Sequence, residues 1–360
     1  MPIDLFKLFS AFFSCGAGLC LFLLLMNRCL LLLPDSKVKA PFILLVGLTL
    51  SCGGGVAGFY LAYTSWFYTP AVFFGLLLIA EIRERYLRHC YRGSPPVDTH
   101  PHRVPLLSPI TTTNLMVHRF SISLQKATKP LRIVHMTDIH ADQRFPWDYY
   151  KNALATAESF KPDIAVFTGD FISHIKALPC LKDFLRPIAT TATYAVLGNH
   201  DFWAAPDAIT ETLRASGIQV LNNETQLLQL NDQTIAVTGY DFPWGTRDKT
   251  VPLQATDKLS IVLTHTPDNI YRCAACAADV VFAGHYHGGQ VRIPIKGSFV
   301  VPSIYGCRFD HGHFIVDKTH LFVASGIGAS YPPVRIYCQP DIFVVDILPS
   351  KSSPRIRSQN

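Results

Sequence analysis

Five short polar clusters between residues 138 and 287 bring together aspartate, asparagine and histidine, the side chains that serve metal and acid–base chemistry. The clusters are Asp138-Ile139-His140, Gly169-Asp170, Gly198-Asn199-His200-Asp201, Thr264-His265 and Gly284-His285-Tyr286-His287. Any one of them alone is more typical of a satisfied core residue or a helix cap. Five in succession, each following an apolar run, instead predict one shared reactive site.

The ligand types in these clusters indicate divalent metal ions. Carboxylate, amide and imidazole groups suit manganese, iron, zinc or cobalt. In an extended segment, residues two apart lie on the same side, so Asp138 with His140 and His285 with His287 each present a pair of ligands. Two ions about 3.5–4 Å apart can clamp a phosphoryl oxygen and convert a bridging water to hydroxide. The sequence therefore predicts a two-metal site for phosphoester chemistry.

The segments that position these clusters alternate between strand and helix patterns. Apolar runs predict strands at 115–124, 131–136, 164–168, 194–197, 261–263 and 280–283. Helical spacing predicts helices at 146–160, 177–185 and 206–216, Asn231-Asp232 suggests a hairpin, and only short β-runs follow Val291. This alternation predicts a layered α/β core whose ligands meet at the carboxyl ends of the strands. Glycines ahead of three clusters permit sharp turns and close backbone approach there.

In these motifs and in their order, the chain resembles the calcineurin-like metallophosphoesterases, most of all their membrane-anchored bacterial branch. The resemblance covers roughly residues 115–348. It includes the segment His287-Gly288-Gly289-Gln290-Val291-Arg292-Ile293-Pro294, the run Ser325-Gly326-Ile327-Gly328 and the later Pro333-Val334-Arg335. One conservative departure is Pro340-Asp341, where the branch usually has Pro-Glu. The fold implied is an α/β, four-layer β-sandwich flanked by helices and preceded here by transmembrane helices.

The resemblance also implies a role for each residue of the clusters. By motif, Asp138, His140 and His287 would bind the first metal, Asn199, His265 and His285 the second, and Asp170 would bridge the two. His200 would neutralise or protonate the leaving oxygen, with Asp201 orienting its imidazole. Manganese is the ion expected first, with iron, zinc and cobalt as alternatives.

The hydrophobic excess of the chain lies almost entirely before Glu81. Residues 8–26 are uncharged and long enough for one membrane crossing, which needs about 20 residues. A cleavable signal peptide is disfavoured, because Asn27, Arg28 and another apolar patch follow instead of a small-residue cleavage site. Residues 40–80 carry no charge, which suits two short crossings joined near residues 63–66, or one crossing followed by an interfacial segment.

Basic residues help to choose between two and three crossings, because they favour the cytoplasmic side. One group follows the first crossing and another follows the last apolar residue: Arg28, Lys37 and Lys39, then Arg83, Arg85, Arg88 and Arg92. Three crossings place both groups on the cytoplasmic side, whereas two place them on opposite sides. We therefore expect three crossings and a cytoplasm-facing catalytic domain, and the resemblance implies a bacterial inner membrane.

The expected domains are a transmembrane anchor at 1–82, a basic juxtamembrane segment and linker at 83–114, a catalytic domain at 115–350 and a tail at 351–360.

The ten cysteines lack a regular spacing, which argues against a disulfide framework. Cys273-Ala274-Ala275-Cys276 could bind zinc or do dithiol chemistry, but its alanines favour a packed helix. The net charge of +6 without a dense basic stripe excludes nucleic acid as the expected partner.

Aromatic residues next to the clusters bear on the substrate. Phe202 and Trp203 follow His200, and Phe242 and Trp244 follow a predicted strand. These side chains could line an acyl groove, although core packing explains any single one. The expected partners are the lipid bilayer and an amphipathic phosphate-containing substrate.

In overall layout the chain resembles the chlamydial-type UDP-2,3-diacylglucosamine pyrophosphatases of lipid A synthesis, which release a lipid monophosphate and UMP from a nucleotide-linked lipid. The alternatives are a phosphoesterase of another phospholipid or nucleotide, and a non-catalytic membrane scaffold. A scaffold, however, has no need of His200 and Asp201 beside a full ligand set.

Overall fold

A computed structural model describes residues 4–30, 33, 38–100, 108–142, 144–186, 188–253, 257–294, 297–298 and 300–350. The predicted tail at 351–360 and residues 101–107 of the predicted linker lie outside the described residues. The chain divides into two compact units: Met1–Tyr91 together with Val300–Arg308, and Arg92–Phe299 together with Phe309–Asn360.

The first unit contains three helices that are long and apolar enough to cross a membrane, by length and composition. They are α1 (Leu5–Leu25), α2 (Lys39–Tyr60) and α3 (Tyr68–Tyr91), the last preceded by a 3₁₀ turn at Ser65–Phe67. Leu44, Val72 and Ile79 are more than 60% exposed, which suits helices whose solvent is hydrocarbon. The prediction of three apolar helices is confirmed.

Small residues allow α1 and α2 to pack with their backbones close together. The Ser10 hydroxyl donates a hydrogen bond of 2.7 Å to the carbonyl oxygen of Gly58. A Cβ atom on Gly58 would lie 2.5 Å from the Ser10 carbonyl oxygen, and one on Gly54 would lie 2.7 Å from that of Ser14. Only glycine therefore fits at both positions. Helix association in a membrane depends on such close packing rather than on the hydrophobic effect.

The second unit contains two large β-sheets. The first has the strand order β1-β2-β15-β3-β4-β5-β6, with β1 at Asp98–His100, β2 at Met116–Leu124, β3 at Leu131–Met136, β4 at Ile164–Thr168, β5 at Ala192–Val196, β6 at Gln219–Val220 and β15 at Asp341–Pro349. The second has the order β13-β14-β10-β9-β8-β7, with β7 at Thr225–Leu230, β8 at Gln233–Tyr240, β9 at Leu259–Thr264, β10 at Val280–Ala283, β13 at Gly312–Val316 and β14 at Thr319–Val323. A small ribbon pairs β11 (Arg292–Ile293) with β12 (Gly297–Ser298).

Helices cover the outer face of the first sheet. They are α4 (Trp147–Ser159), α5 (Leu178–Phe184), α6 (Asn199–Ala204) and α7 (Pro206–Ala215), and α8 (Ile270–Ala275) belongs to the second half of the domain. Alternate residues of a strand face opposite sides, so Val134 and Phe167 pack towards the helices while Ile133 and Val166 pack between the sheets. The predicted α/β sandwich flanked by helices is confirmed.

The strands that carry the polar clusters are parallel. β3, β4 and β5 pair in parallel in the first sheet, and β8, β9 and β10 do so in the second. Parallel strands end at the same edge, so the loops that follow them meet on one side of the sandwich.

Two further local predictions have clear outcomes. The Asn231-Asp232 hairpin forms with φ of 51° and 60°, the left-handed pair that a tight two-residue hairpin requires. Cys273 is buried on α8, which confirms the packed helix, and the structure contains all ten cysteines as free thiols.

The prediction of only short β-runs after Val291 was wrong for β15. This nine-residue strand lies inside the first sheet, between β2 and β3. Its pairing with residues more than two hundred positions earlier is decided by the tertiary fold.

Candidate metal centre

The loops after β3, β4, β5, β9 and β10 bring all nine predicted site residues to one edge of the domain. Eight of them are buried: Asp138, His140, Asp170, Asn199, Asp201, His265, His285 and His287. The ninth, His200, is half-buried. The predicted convergence is therefore confirmed.

A first cluster consists of Asp138, His140, Asp170 and His287, whose ligand atoms all lie within 4.8 Å of one another. The Nε2 atoms of His140 and His287 are 3.1 Å apart, and His287 Nε2 lies 3.3 Å from Asp138 Oδ1. Ligand atoms held about 2.0–2.2 Å from one ion lie about 3–3.5 Å apart, which matches these distances.

A second cluster consists of Asp170, His265 and His285, with Asn199 beside them. His265 Nε2 lies 3.0 Å from Asn199 Oδ1 and 3.2 Å from His285 Nδ1. Asp170 belongs to both clusters, because its Oδ2 is 3.4 Å from His140 Nε2 and 3.3 Å from His265 Nε2.

The hydrogen bonding of the first cluster fits a bound cation. Asp138 Oδ1 is buried and has no hydrogen-bond partner in the described part of the chain. A buried acceptor left in this way costs about 1–3 kcal/mol. The facing Nε2 atoms of His140 and His287 can share only one proton between them. A divalent ion would satisfy all three atoms at once, so the residues present fit the divalent metals that the resemblance implies.

Burial and neighbouring charge set the protonation of the centre. Burial lowers the pKa of His285 and of His287 well below the ordinary value, which keeps both imidazoles in the neutral form that binds metal. Burial alone would also lower the pKa of His265, but the Asp170 carboxylate outweighs it and the pKa rises to about 9. Burial would raise the pKa of Asp170, yet His265 and its neighbours hold it well below the usual range. Asp170 therefore remains ionised.

The backbone of the centre is held in an uncommon conformation. Five of the site residues have φ between 43° and 68°: Asp138, His140, Asp170, His285 and His287. Non-glycine residues adopt this left-handed region rarely, and such strain concentrates at functional sites. A Cβ atom on Gly198 would lie 2.2 Å from Asp170 Oδ1, and one on Gly284 would lie 2.2 Å from Asp138 Oδ2. Glycine is therefore required at both positions, as the sequence predicted.

Residues 131–289, the segment that carries every one of these ligands, match the sequence model of the family described as calcineurin-like phosphoesterase. The chain carries a calcineurin-like phosphoesterase domain. Members of this family use divalent metals, and the two clusters could hold them. The protein is accordingly a metal-dependent phosphoester hydrolase.

Curated relatives agree with the family. Phosphodiesterase YaeI of Escherichia coli is 28% identical over 65% of this chain and 88% of its own length. The uncharacterized metallophosphoesterase YkuE of Bacillus subtilis is 29% identical over 68% and 85%. UDP-2,3-diacylglucosamine pyrophosphatase LpxG of Chlamydia muridarum is 26% identical over 61% and 84%.

Asp201 contacts backbone N–H groups of two ligand loops, a role that the sequence analysis did not predict. Its Oδ1 accepts hydrogen bonds from the backbone N–H groups of Phe171 and Ile172, at 2.9 and 3.4 Å, and its Oδ2 accepts one of 2.9 Å from Gly198. Asp201 therefore joins the loops that carry Asp170 and Asn199. The sequence could not show this role, because the position of Asp201 next to His200 does not reveal which backbone groups its side chain will contact.

The four predicted aromatic residues separate into two pairs. The Trp203 ring centre lies 5.1 Å from that of His200, and Trp203 is 36% exposed. The Trp244 ring centre lies 5.0 Å from that of His285. Phe202 packs against the core between sheet and helices, and Phe242 lies under the Arg272 guanidinium at 4.2 Å. Only the two tryptophans border the phosphoesterase centre.

Arg335 supports the centre, and sequence reasoning noted it only as part of a family motif. It is fully buried and donates hydrogen bonds to the carbonyl oxygens of Ser325 at 2.6 Å, Gly328 at 2.8 Å and His287 at 3.3 Å. The N–H group of Gly328 in turn donates to the carbonyl oxygen of Asp138 at 2.8 Å. Arg335 thus connects the backbone of His287 to the loop behind Asp138.

We predict that Arg335→Met weakens metal binding at the first cluster. The substitution removes the guanidinium donors to the carbonyl oxygens of His287, Ser325 and Gly328, and groups that orient metal ligands contribute about 10–100-fold to metal affinity or activity. The measurement is the Mn²⁺ concentration that gives half-maximal hydrolysis of a chromogenic phosphodiester, together with bound metal by elemental analysis. Arg335→Lys, with three donors instead of five, should show an intermediate effect.

Arg186→Met is the matched control, since Arg186 is largely exposed and pairs with Glu158. Its metal affinity should equal that of the wild type. An Arg335→Met protein with unchanged metal affinity and only a lower melting temperature would show that Arg335 serves folding alone.

Proposed function

We propose that this chain is a membrane-anchored, two-metal phosphoesterase that hydrolyses a phosphodiester or pyrophosphate bond in an amphipathic substrate. The observation that carries the proposal is the position of Asp170. One oxygen of this carboxylate lies 3.3–3.4 Å from a histidine of each cluster, so a single ionised side chain serves both ligand sets. Such sharing is what a pair of adjacent metal ions requires.

The proposed ligand sets follow the two clusters. Asp138, His140 and His287 hold the first ion, Asn199, His265 and His285 hold the second, and Asp170 bridges them. When bound, the ions supply Lewis acidity and an activated water at neutral pH. Nitrogen and oxygen ligands suit manganese, iron, zinc and cobalt, and manganese is the ion we propose.

His200 is the proposed catalytic side chain outside the ligand sets. Its backbone N–H donates a hydrogen bond of 2.9 Å to Asp170 Oδ1, and its ring centre lies 4.8 Å from that of His140. This places a half-buried imidazole beside the centre. In the proposed reaction the imidazole donates a hydrogen bond or a proton to the leaving oxygen, while Asp201 holds the surrounding loops in place.

Two features support a lipid-linked substrate. Three apolar helices suited to a membrane precede the domain, and Trp203 and Trp244 border the centre with apolar rings. The Chlamydia muridarum relative is named for UDP-2,3-diacylglucosamine, so we propose that lipid as the substrate, with a lipid monophosphate and UMP as products. The Escherichia coli relative is named a phosphodiesterase, which supports a second candidate, a phosphodiester of another lipid or nucleotide.

The first test uses the purified full-length chain in detergent with Mn²⁺. We expect hydrolysis of a chromogenic phosphodiester and release of UMP from UDP-2,3-diacylglucosamine. Asp170→Asn should abolish both reactions and lose at least one metal equivalent, because the shared carboxylate is gone. Asp207→Asn, at an exposed position on α7, is the control and should retain both.

Full metal content in Asp170→Asn would contradict the bridging role. Hydrolysis of the chromogenic substrate without release of UMP would favour the second candidate substrate. No hydrolysis of either substrate by the wild-type protein would favour a non-catalytic scaffold.

His200→Ala should keep both metals and lose activity by about 10²–10⁴-fold, the usual contribution of general acid catalysis. The loss should be smaller for a nitrophenolate leaving group, which needs little protonation. His200→Gln, which can donate a hydrogen bond but no proton, distinguishes the two roles. An equal loss across leaving groups, with partial rescue by glutamine, would indicate charge stabilisation. Near-full activity of His200→Ala on every substrate would show the assignment to be wrong.

The proposed orientation places the catalytic domain in the cytoplasm of a bacterium, at the inner membrane. A fluorescent protein fused after Asn360 should therefore fluoresce, and alkaline phosphatase fused there should be inactive. Fusion after Thr64, between the second and third helices, should give the opposite pair of results. Active alkaline phosphatase at the C-terminal fusion would reverse the proposed orientation.

A further inference from the structure

A separate group of metal-ligating side chains lies apart from the phosphoesterase clusters. It consists of His118 on β2, His311 just before β13 and Asp341 at the start of β15. The Asp341 side chain is 1% exposed, and those of His118 and His311 are 18% and 24% exposed. We propose that these three residues form a third divalent-metal site, with a structural role and a donor set that suits zinc.

The spacing of the donor atoms fits one ion. Asp341 Oδ2 lies 3.8 Å from His118 Nε2 and 2.5 Å from His311 Nε2, and all three ligand atoms are within 4.8 Å of one another. Donors about 2.0–2.2 Å from one ion lie about 3–3.5 Å apart. His118 Nε2 is slightly farther than this from the carboxylate oxygen and would move a little closer, and His311 would exchange its direct contact with the carboxylate for an ion between them.

In two of the three ligand groups, those of His118 and Asp341, the second atom is held by a neighbour. His118 Nδ1 lies 3.1 Å from the Thr99 hydroxyl, so an Nδ1–H donated to that oxygen leaves the Nε2 lone pair facing Asp341. Asp341 Oδ1 accepts a hydrogen bond of 2.8 Å from the Ser325 N–H, which leaves Oδ2 towards the histidines. Outer contacts of this kind fix the tautomer and orientation of metal ligands.

Hydrogen bonding alone accounts for the contact between His311 and Asp341 but not for the approach of the His118 Nε2 atom to this carboxylate. His311 Nε2 and Asp341 Oδ2 make a direct contact of 2.5 Å that needs no metal. His118 Nε2, at 3.8 Å from Asp341 Oδ2, is too distant for a hydrogen bond to that carboxylate. An ion gives the third ligand atom a partner that the carboxylate itself does not provide.

The site would stabilise the loop behind Asp138. The N–H of Asp341 donates to the carbonyl oxygen of Gly326 at 3.1 Å, and a Cβ atom on Gly326 would lie 2.5 Å from Asp138 Cβ. An ion on Asp341 therefore ties β2, β15 and the segment before β13 together next to this loop. Its role is to brace the domain, and it takes no part in hydrolysis.

The test measures bound zinc in the full-length chain in detergent after equilibration with Zn²⁺ and removal of the excess. We expect three equivalents in the wild type and two in His118→Ala/His311→Ala. His320→Ala, which alters a histidine paired with His313 on neighbouring strands, is the control and should keep three. Because the readout is metal content, it does not depend on the substrate or on activity.

His311→Gln guards against a loss that reflects misfolding. Glutamine can still donate a hydrogen bond to Asp341 but is a poor zinc ligand, so this variant should keep the circular dichroism of the wild type and bind two equivalents. The proposal requires the wild type and His320→Ala to bind one equivalent more than the double variant and His311→Gln, and an equal count in all four proteins would overturn it. Failure of the two-metal proposal would appear differently, as the same one-equivalent difference on totals below three and two.

Discussion

The ionised Asp170 carboxylate is the constraint on which the arrangement of the site depends. Its side chain is buried, and a buried charge is stable only when opposite charge and hydrogen bonds compensate it. The histidines of both clusters face one of its oxygens, and the backbone N–H of His200 faces the other. Because Asp170 belongs to both clusters, they form one centre, and the two cations of the proposed function would complete the compensation of its charge.

The centre is positioned mainly through the backbone. Parallel strands of both sheets end at one edge, and several ligands there adopt left-handed conformations that ordinary turns avoid. Asp201 binds backbone N–H groups on one side, and Arg335 binds carbonyl oxygens on another. Each of these buried side chains makes several hydrogen bonds to backbone groups, so together they hold the ligand loops in position.

The proposed function joins this centre to a membrane. A phosphoesterase tethered to a bilayer meets lipid-linked substrates at a high effective concentration, because diffusion is confined to the surface. The tight pairing of α1 and α2 through Gly54 and Gly58 suits an anchor that remains assembled in lipid. The rings of Trp203 and Trp244 beside the centre suit a substrate with both a phosphate and an apolar portion.

The sequence by itself indicated the strands that end in polar clusters, the three apolar helices and the candidate residues of the centre, because each depends on a local pattern: apolar runs that end in polar ligands, or long uncharged segments. It did not determine which groups these residues face. The place of β15 inside the first sheet, the backbone partners of Asp201, the burial of Arg335 and the meeting of His118, His311 and Asp341 were decided only by the tertiary structure. These contacts join residues far apart in the chain, and a local pattern carries no information about a distant partner.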